Sequence, residues 1–243
     1  RLLAEWDERP AGALLLLPLW NPVLAAEQLA TLACLKPGPF IMQCGNGRDA
    51  QFRAMGADIR YRPSMFEEAL EMMRRLWAGD TVSSQHRYRF ENARISPTPP
   101  EPIAVWIGAS APKAIDRAAR IGDAWLAAPG LTLDQALAQM DDYQAALARH
   151  SRSTTLTAIR RDVYVAESEA DASAVRELVA SRSYRGFDPS ALMIGTPEQV
   201  AGEMQAFGDG GYTDIIVRNL HRDPGKAIAS TERLAEVVEM LRG

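Results

Sequence analysis

The sequence predicts an α/β fold built on a parallel sheet, and three observations carry that prediction. Short apolar runs alternate with amphipathic stretches along the 243 residues, the rhythm of repeated βα units. The runs Phe40 to Cys44 and Ile103 to Ile107 are almost continuously apolar, as strands buried on both faces are. Between the runs and the amphipathic stretches stand turn residues and helix caps such as Asn21-Pro22, Gly45-Asn46-Gly47 and Thr196-Pro197-Glu198-Gln199. Six βα units can be marked. That number is two short of a closed eight-stranded barrel and is also accepted by a doubly wound open sheet, so the count alone does not separate the two.

In order, Gly12 to Leu17 reads as a strand stopped by Pro18. Asn21 then caps a helix with Pro22 at its first position, reaching about Leu35. Phe40 to Cys44 is the second strand. A helix from about Ser64 to Trp77 follows, because Met65, Ala69, Met72, Met73 and Leu76 lie three and four apart. The stretch Asp80 to Pro102, rich in proline, breaks the rhythm and predicts an inserted loop or small hairpin. Ile103 to Ile107 restores it, and Gly108-Ala109-Ser110-Ala111-Pro112 leads into a helix through Arg120. Ala124 to Ala127 is the fourth strand, with Thr132 capping a helix to about His150. Thr155 to Val165 and Thr213 to Arg218 are the fifth and sixth strands, and a helix from about Ala227 to Leu241 closes the chain. Before the first strand, the opening residues from Arg1 read as the end of a helix.

Composition narrows the function classes. There are 27 basic against 31 acidic residues, which gives no basic excess of the kind nucleic-acid binders need. The longest apolar run, Ala11 to Trp20, is too short to span a bilayer. Cys34 and Cys44 lack metal-ligand spacing, which predicts no metal site and a reducing, cytoplasmic setting. Lysines are few: Lys36, Lys113 and Lys226. That scarcity argues against Schiff-base chemistry, although Lys113 stands beside the Ser110 turn.

The most informative stretch runs from Val105 to Ala114. A buried strand, a turn of small residues and a helix start make an anion site, since free amides and the helix dipole favour a phosphate there. Gly108 and Ala109 let the backbone approach, and Ser110 can donate its hydroxyl. The competing reading makes Ser110 only a helix N-cap. Gln43, Cys44 and Asn46 end the second strand, where they can offer amide or thiol groups; Cys44 can equally be a small buried residue. Arg48 either neutralises a phosphate or is solvated. Of three histidines, His86 lies in the inserted loop beside Tyr88, His150 ends a helix where its charge suits the dipole, and His221 follows the last strand.

Several stretches together resemble the bacterial luciferase-like monooxygenase family. They are Leu17-Pro18-Leu19-Trp20-Asn21-Pro22 and the helix after it, and Gly45-Asn46-Gly47 through Gln51-Phe52-Arg53-Ala54-Met55-Gly56. Phe66-Glu67-Glu68-Ala69-Leu70 with Leu76-Trp77, Trp106-Ile107-Gly108-Ala109-Ser110 through Trp125, and Ile194-Gly195-Thr196-Pro197-Glu198-Gln199-Val200 complete the set, in the family's order.

The resemblance implies a (β/α)8 TIM barrel forming a single domain over 1–243, N-terminally incomplete in that the family's first two βα units are absent from this sequence, with an insertion at about 80–102. It implies a cofactor, FMN or the deazaflavin coenzyme F420, at the C-terminal ends of the strands. Gly108, Ala109, Ser110 and Ala111 then become phosphate contacts. Gly12 and Ala13 are expected to form a bulge with a non-proline cis peptide backing the flavin ring, and Cys44 and Asn46 to lie near that ring. The family's usual turn is richer in glycine and followed by an aromatic, where this chain has Asn46 and Arg48. His86 and Tyr88 become substrate contacts, since family members cover the pocket with this insertion. The catalytic histidine or acid of the family lies in its first two units, so the catalytic residue is unassigned here.

The function implied is a flavin-dependent monooxygenase using reduced FMN and oxygen on a small organic substrate, with a separate flavin reductase as a possible partner. The alternatives are F420-dependent hydride transfer or a non-catalytic flavin-binding relative with a shortened barrel. An exposed barrel seam predicts homodimerisation.

Overall fold

A computed structural model describes residues 5–154 and 156–242. The opening residues 1–4 and the predicted strand start at Thr155 lie outside them. The chain divides into two compact units, residues 1–108 and 109–243.

Unit 1 is organised around a parallel ladder of β1 (Ala11–Leu16), β2 (Phe40–Gly45) and β5 (Ala104–Gly108), with β2 in the middle. The crossover from β1 to β2 is α1 (Pro22–Cys34), started as expected: Asn21 Oδ1 accepts the N–H groups of Val23 and Leu24 at 3.0 and 3.2 Å. Between β2 and β5 come a short α2 (Asp49–Ala54) and α3 (Arg62–Trp77). Helices α1 and α3 pack together, and the Trp77 indole donates to the Ala26 carbonyl at 3.0 Å. The expected insertion is an antiparallel hairpin, β3 (Val82–Gln85) and β4 (Arg89–Ala93), with an irregularity between Val82 and Ser84.

Register fixes which residues share a face of this ladder. Gly12, Leu14 and Leu16 align with Ile41, Gln43 and Gly45, and these with Ala104 and Trp106. Gly108, two residues past Trp106, continues that side. The other face carries Ala13, Leu15, Met42, Cys44, Val105 and Ile107. It is the buried one: Met42, Cys44 and Val105 are fully covered, whereas Leu14 opposite is 62% exposed.

Unit 2 holds α4 (Pro112–Ile121), β6 (Ala124–Ala127), α5 (Leu133–Arg149), β7 (Thr157–Val165), α6 (Glu169–Ser181), β8 (Met193–Gly195), α7 (Pro197–Asp209), β9 (Asp214–Asn219) and α8 (Pro224–Arg242). The long β7 pairs in parallel with β6 at its start, β9 along its middle and β8 at its end. Buried Trp125 of β6 stacks at tilted angles on Tyr143 and Tyr212, with centroids 5.0 and 5.9 Å away. The predicted cap at Thr132 is present, as part of a capping box with Gln135, and so is the predicted capping box at Thr196. Among the described residues, the parallel strands of both ladders number seven where six were expected; β8 is the addition, and α2 and α6 were also not anticipated. No helix among the described residues is long and apolar enough to cross a membrane.

Candidate functional site

The expected cis peptide at Gly12-Ala13 is absent; among the described residues the cis bond is Ser96–Pro97. Instead, Gly12 and Ala13 lie in an unbroken parallel ladder opposite Ile41 and Met42. Close approach explains the glycine, since a Cβ there would meet the Ile41 carbonyl oxygen at 2.2 Å. Gly12 and Gly108 belong to the half-exposed ladder face with Gln43. Ala13 and Cys44 point their side chains into the buried face. The Cys44 thiol is therefore enclosed by the core, and what it presents beside Gly108 is its backbone carbonyl, 3.4 Å from where a Cβ on that glycine would stand.

Asn46 follows β2 directly, and its Oδ1 is buried without a hydrogen-bond partner. Trp106 has the same character: it is 6% exposed, aligned with Gln43, and its indole N–H is unpartnered. A buried acceptor and a buried donor left unsatisfied are each costly unless a ligand meets them. Trp106 was not among the sequence candidates, and the signal that finds it is the period-2 alternation carried across the register. Arg62 Nη1 donates to the Gly47 carbonyl at 3.1 Å, holding the turn after β2, while Arg48 is exposed at the start of α2.

The inserted hairpin folds over the end of β1. Its turn wraps on the Glu68 carboxylate, which accepts from Ser84 Oγ at 2.8 Å and from the Arg87 and Tyr88 amides at 3.0 and 3.4 Å. Tyr88 is thereby brought to the Pro18 carbonyl, 3.5 Å from its hydroxyl, and burial followed by the Glu68 charge pushes its pKa up. His86 remains exposed.

In unit 2, the turn before α4 resolves the Ser110 question. The N-cap position is Ala111, which has no side-chain cap, and Ser110 is exposed with no hydrogen bond from its hydroxyl among the described residues. Pro112 has no N–H, and the helix ladder begins only at Ala114, so the Ser110, Ala111 and Lys113 amides are free of internal partners. Ala109 does not fit the role of backbone donor: its N–H donates to the Leu126 carbonyl at 3.2 Å and its own carbonyl accepts from Trp125 Nε1 at 3.0 Å. Its methyl is buried.

Sequence reading also missed a charged centre on β7 and β9. Asp162 is fully buried, aligned with Arg218, and sits next to Arg160 on the same face. Its Oδ2 accepts from the Tyr184 hydroxyl at 2.9 Å and from Arg185 Nη1 at 3.2 Å, with Arg218 Nη1 3.9 Å away. Burial, then the Asp162 hydrogen bond, pushes Tyr184 up to about 12. His150 takes the structural role, with Nε2 3.1 Å from Asp116 at the end of α5. His221 accepts the Asp223 amide on Nδ1 and stacks on Tyr164.

The sequence pattern of the luciferase-like monooxygenases matches residues 11–191. The chain belongs to that family. Among similar proteins, an FMNH2-dependent dimethylsulfone monooxygenase of Pseudomonas fluorescens is 29% identical over 253 aligned positions, covering 99% of this chain and 67% of that protein. An F420-dependent glucose-6-phosphate dehydrogenase of Intrasporangium calvum is 33% identical over 145, covering 55% of this chain and 42% of that one. Monooxygenase RslO1 of Streptomyces bottropensis superimposes with a TM-score of 0.83 at 19% identity, over 99% of this chain and 80% of its own. The α/β fold with parallel strands is thus the luciferase-like one.

Proposed function

We propose that the chain carries a flavin-dependent monooxygenase site that uses reduced FMN and oxygen on a small organic substrate. The observation that carries this reading is the uncapped start of α4: two free amides flanking Pro112 and a free serine hydroxyl form a donor set suited to a phosphate. In unit 1, the unpaired Trp106 N–H and Asn46 Oδ1 are a donor and an acceptor suited to a heteroaromatic edge that presents both kinds of group. Taken each within its own unit, the start of α4 fits a phosphate, and the Trp106 and Asn46 pair fits the edge of a flavin ring. FMN is favoured over F420 because two FMNH2-dependent relatives match 99% of the chain at 29% and 28% identity, whereas an F420-dependent one matches 92% at 23%.

Reduced FMN, when bound, supplies the electrons with which oxygen is activated for transfer of one oxygen atom to the substrate. The chain's own part is binding and orientation. Ser110 donates its hydroxyl to the phosphate, and the Ala111 and Lys113 amides add to it. Within unit 1, the face of Gly12, Gln43, Trp106 and Gly108 is the surface suited to a planar ring, and Tyr88 on its Glu68-anchored hairpin reaches the Pro18 carbonyl beyond β1. A separate reductase delivers the reduced flavin, and the working form is a homodimer.

Titration with FMN, riboflavin and F420, followed by absorbance and fluorescence, tests this reading. FMN should bind, and Ser110→Ala should weaken it by about 1 to 3 kcal/mol while leaving riboflavin unaffected. Tight binding of F420 with none of FMN would move the assignment to hydride transfer. Binding of none of the three would overturn it.

A further inference from the structure

A cavity in unit 2, about 660 Å³, lies between the end of α6 and the segment that follows β9. Arg182, Arg185, Arg218, Arg222, His221 and Tyr184 supply its polar wall, and Val175, Leu178, Val179 and Leu220 its apolar one. The acid lining it is Asp223, already engaged: its Oδ1 accepts the Lys226 amide at 2.9 Å at the start of α8. Beneath, buried Asp162 is shared among Arg160, Arg185 and Arg218. Four arginines against so little negative charge leave a cationic surplus. Arg182 and Arg222 have no ion pair among the described residues.

The loop that brings these groups in is held in costly backbone geometry. Ser183 and Arg185 both adopt left-handed conformations, with φ of 45° and 53°. Non-glycine residues persist there only where the surroundings impose it. Here the hydrogen bonds of Tyr184 and Arg185 to Asp162 impose it. His221 accepts on Nδ1, so a neutral ring carries its proton on Nε2 and adds a further donor.

We infer that this cavity binds the oxyanion of a small organic ligand, a carboxylate or sulfonate on a short apolar body. Planar guanidinium groups pair with such anions bidentately, and the valine and leucine wall takes the apolar part. As a substrate site it rests on the monooxygenase reading; as an anion site it stands without it.

Calorimetric titration at low salt with benzoate, benzamide and inorganic sulfate tests the inference. Benzoate should bind, neutral benzamide should not, and sulfate should compete with benzoate. Replacing Arg182 and Arg222 together by alanine should weaken benzoate by about tenfold or more, leaving FMN affinity unchanged. Ser110→Ala should do the reverse. Absence of benzoate binding, equal binding of benzamide, or an unaltered double variant would each overturn the proposal. Displacement of benzoate by FMN and not by riboflavin would assign the cavity to the cofactor phosphate and overturn the substrate assignment. Failure of FMN to bind while benzoate binding depends on the arginines would sink the flavin reading and leave the anion site standing.

Discussion

In unit 1 the half-exposed ladder face carries Gly12, Leu14, Gln43, Trp106 and Gly108, without a charged side chain, whereas the alternate face of β7 and β9 in unit 2 carries Arg160, Asp162 and Arg218. Both are parallel ladders of the same fold, so the backbone does not decide the difference. Unit 1 leaves the Trp106 N–H and the Asn46 Oδ1 unsatisfied within an uncharged region, which suits a neutral ring. Unit 2 concentrates charge around one buried carboxylate, which suits an anion. One family scaffold thus carries an uncharged polar face and a charged one.

The contrast can be broken at its charged end first. Asp162→Leu leaves Arg160 and Arg185 without their buried anion and should lower stability by about 3 to 5 kcal/mol in urea unfolding. Gln43→Leu on the neutral face should cost at most about 1 kcal/mol. Equal losses would show that the two faces do not differ as described. Next, Gly12→Ala places a methyl against the Ile41 carbonyl oxygen and should cost about 1 to 3 kcal/mol, seen as a lower Tm. A neutral outcome would mean that β1 and β2 can part without penalty. Asn21→Ala removes the cap on α1, for a loss of about 1 kcal/mol by the same measurement.

The smallest effect lies in pH. The Tyr184 hydroxyl ionises in the unfolded chain near 10 but stays neutral in the fold to about 12. The unfolded state therefore releases its proton first, and stability falls as pH rises between those values. Tyr184→Phe should make that decline of Tm shallower, though not flat, because Tyr143 and Tyr164 are also pushed up to about 12. An unchanged slope would remove Tyr184 from the buried cluster.

Much of the fold was legible because its signals are local. Asn21-Pro22, Thr132 with Gln135, and Thr196 with Gln199 each start a helix by hydrogen bonds within three residues. Ala124 to Ala127 was read without error because its apolar run is sharply bounded. Helix α6 was missed although Ser168 and Asp171 form a legible cap, its side chain accepting the Asp171 amide. Strand β8 has three residues and too little pattern to register. The site was harder, because it depends on register. Nothing in the order Met-Gln-Cys says that Gln43 joins Trp106 and Gly108 while Cys44 joins the core. The Asp162 cluster gathers residues from 160 to 218, and only the alignment of β7 with β9 brings them together.

That alignment has a consequence in time. Every residue of β7 is aligned with β6, β9 or β8 on at least one edge, so opening it requires at least one neighbour to peel away first. Its amides should be the last in unit 2 to exchange with deuterium. The strained Ser183 to Gly186 loop is tied to it by side-chain hydrogen bonds and by Tyr184 packing on the core, not by backbone pairing, and its amides can exchange fast while the strand beneath stays protected. Amide exchange would therefore show a quiet floor under a restless arginine wall.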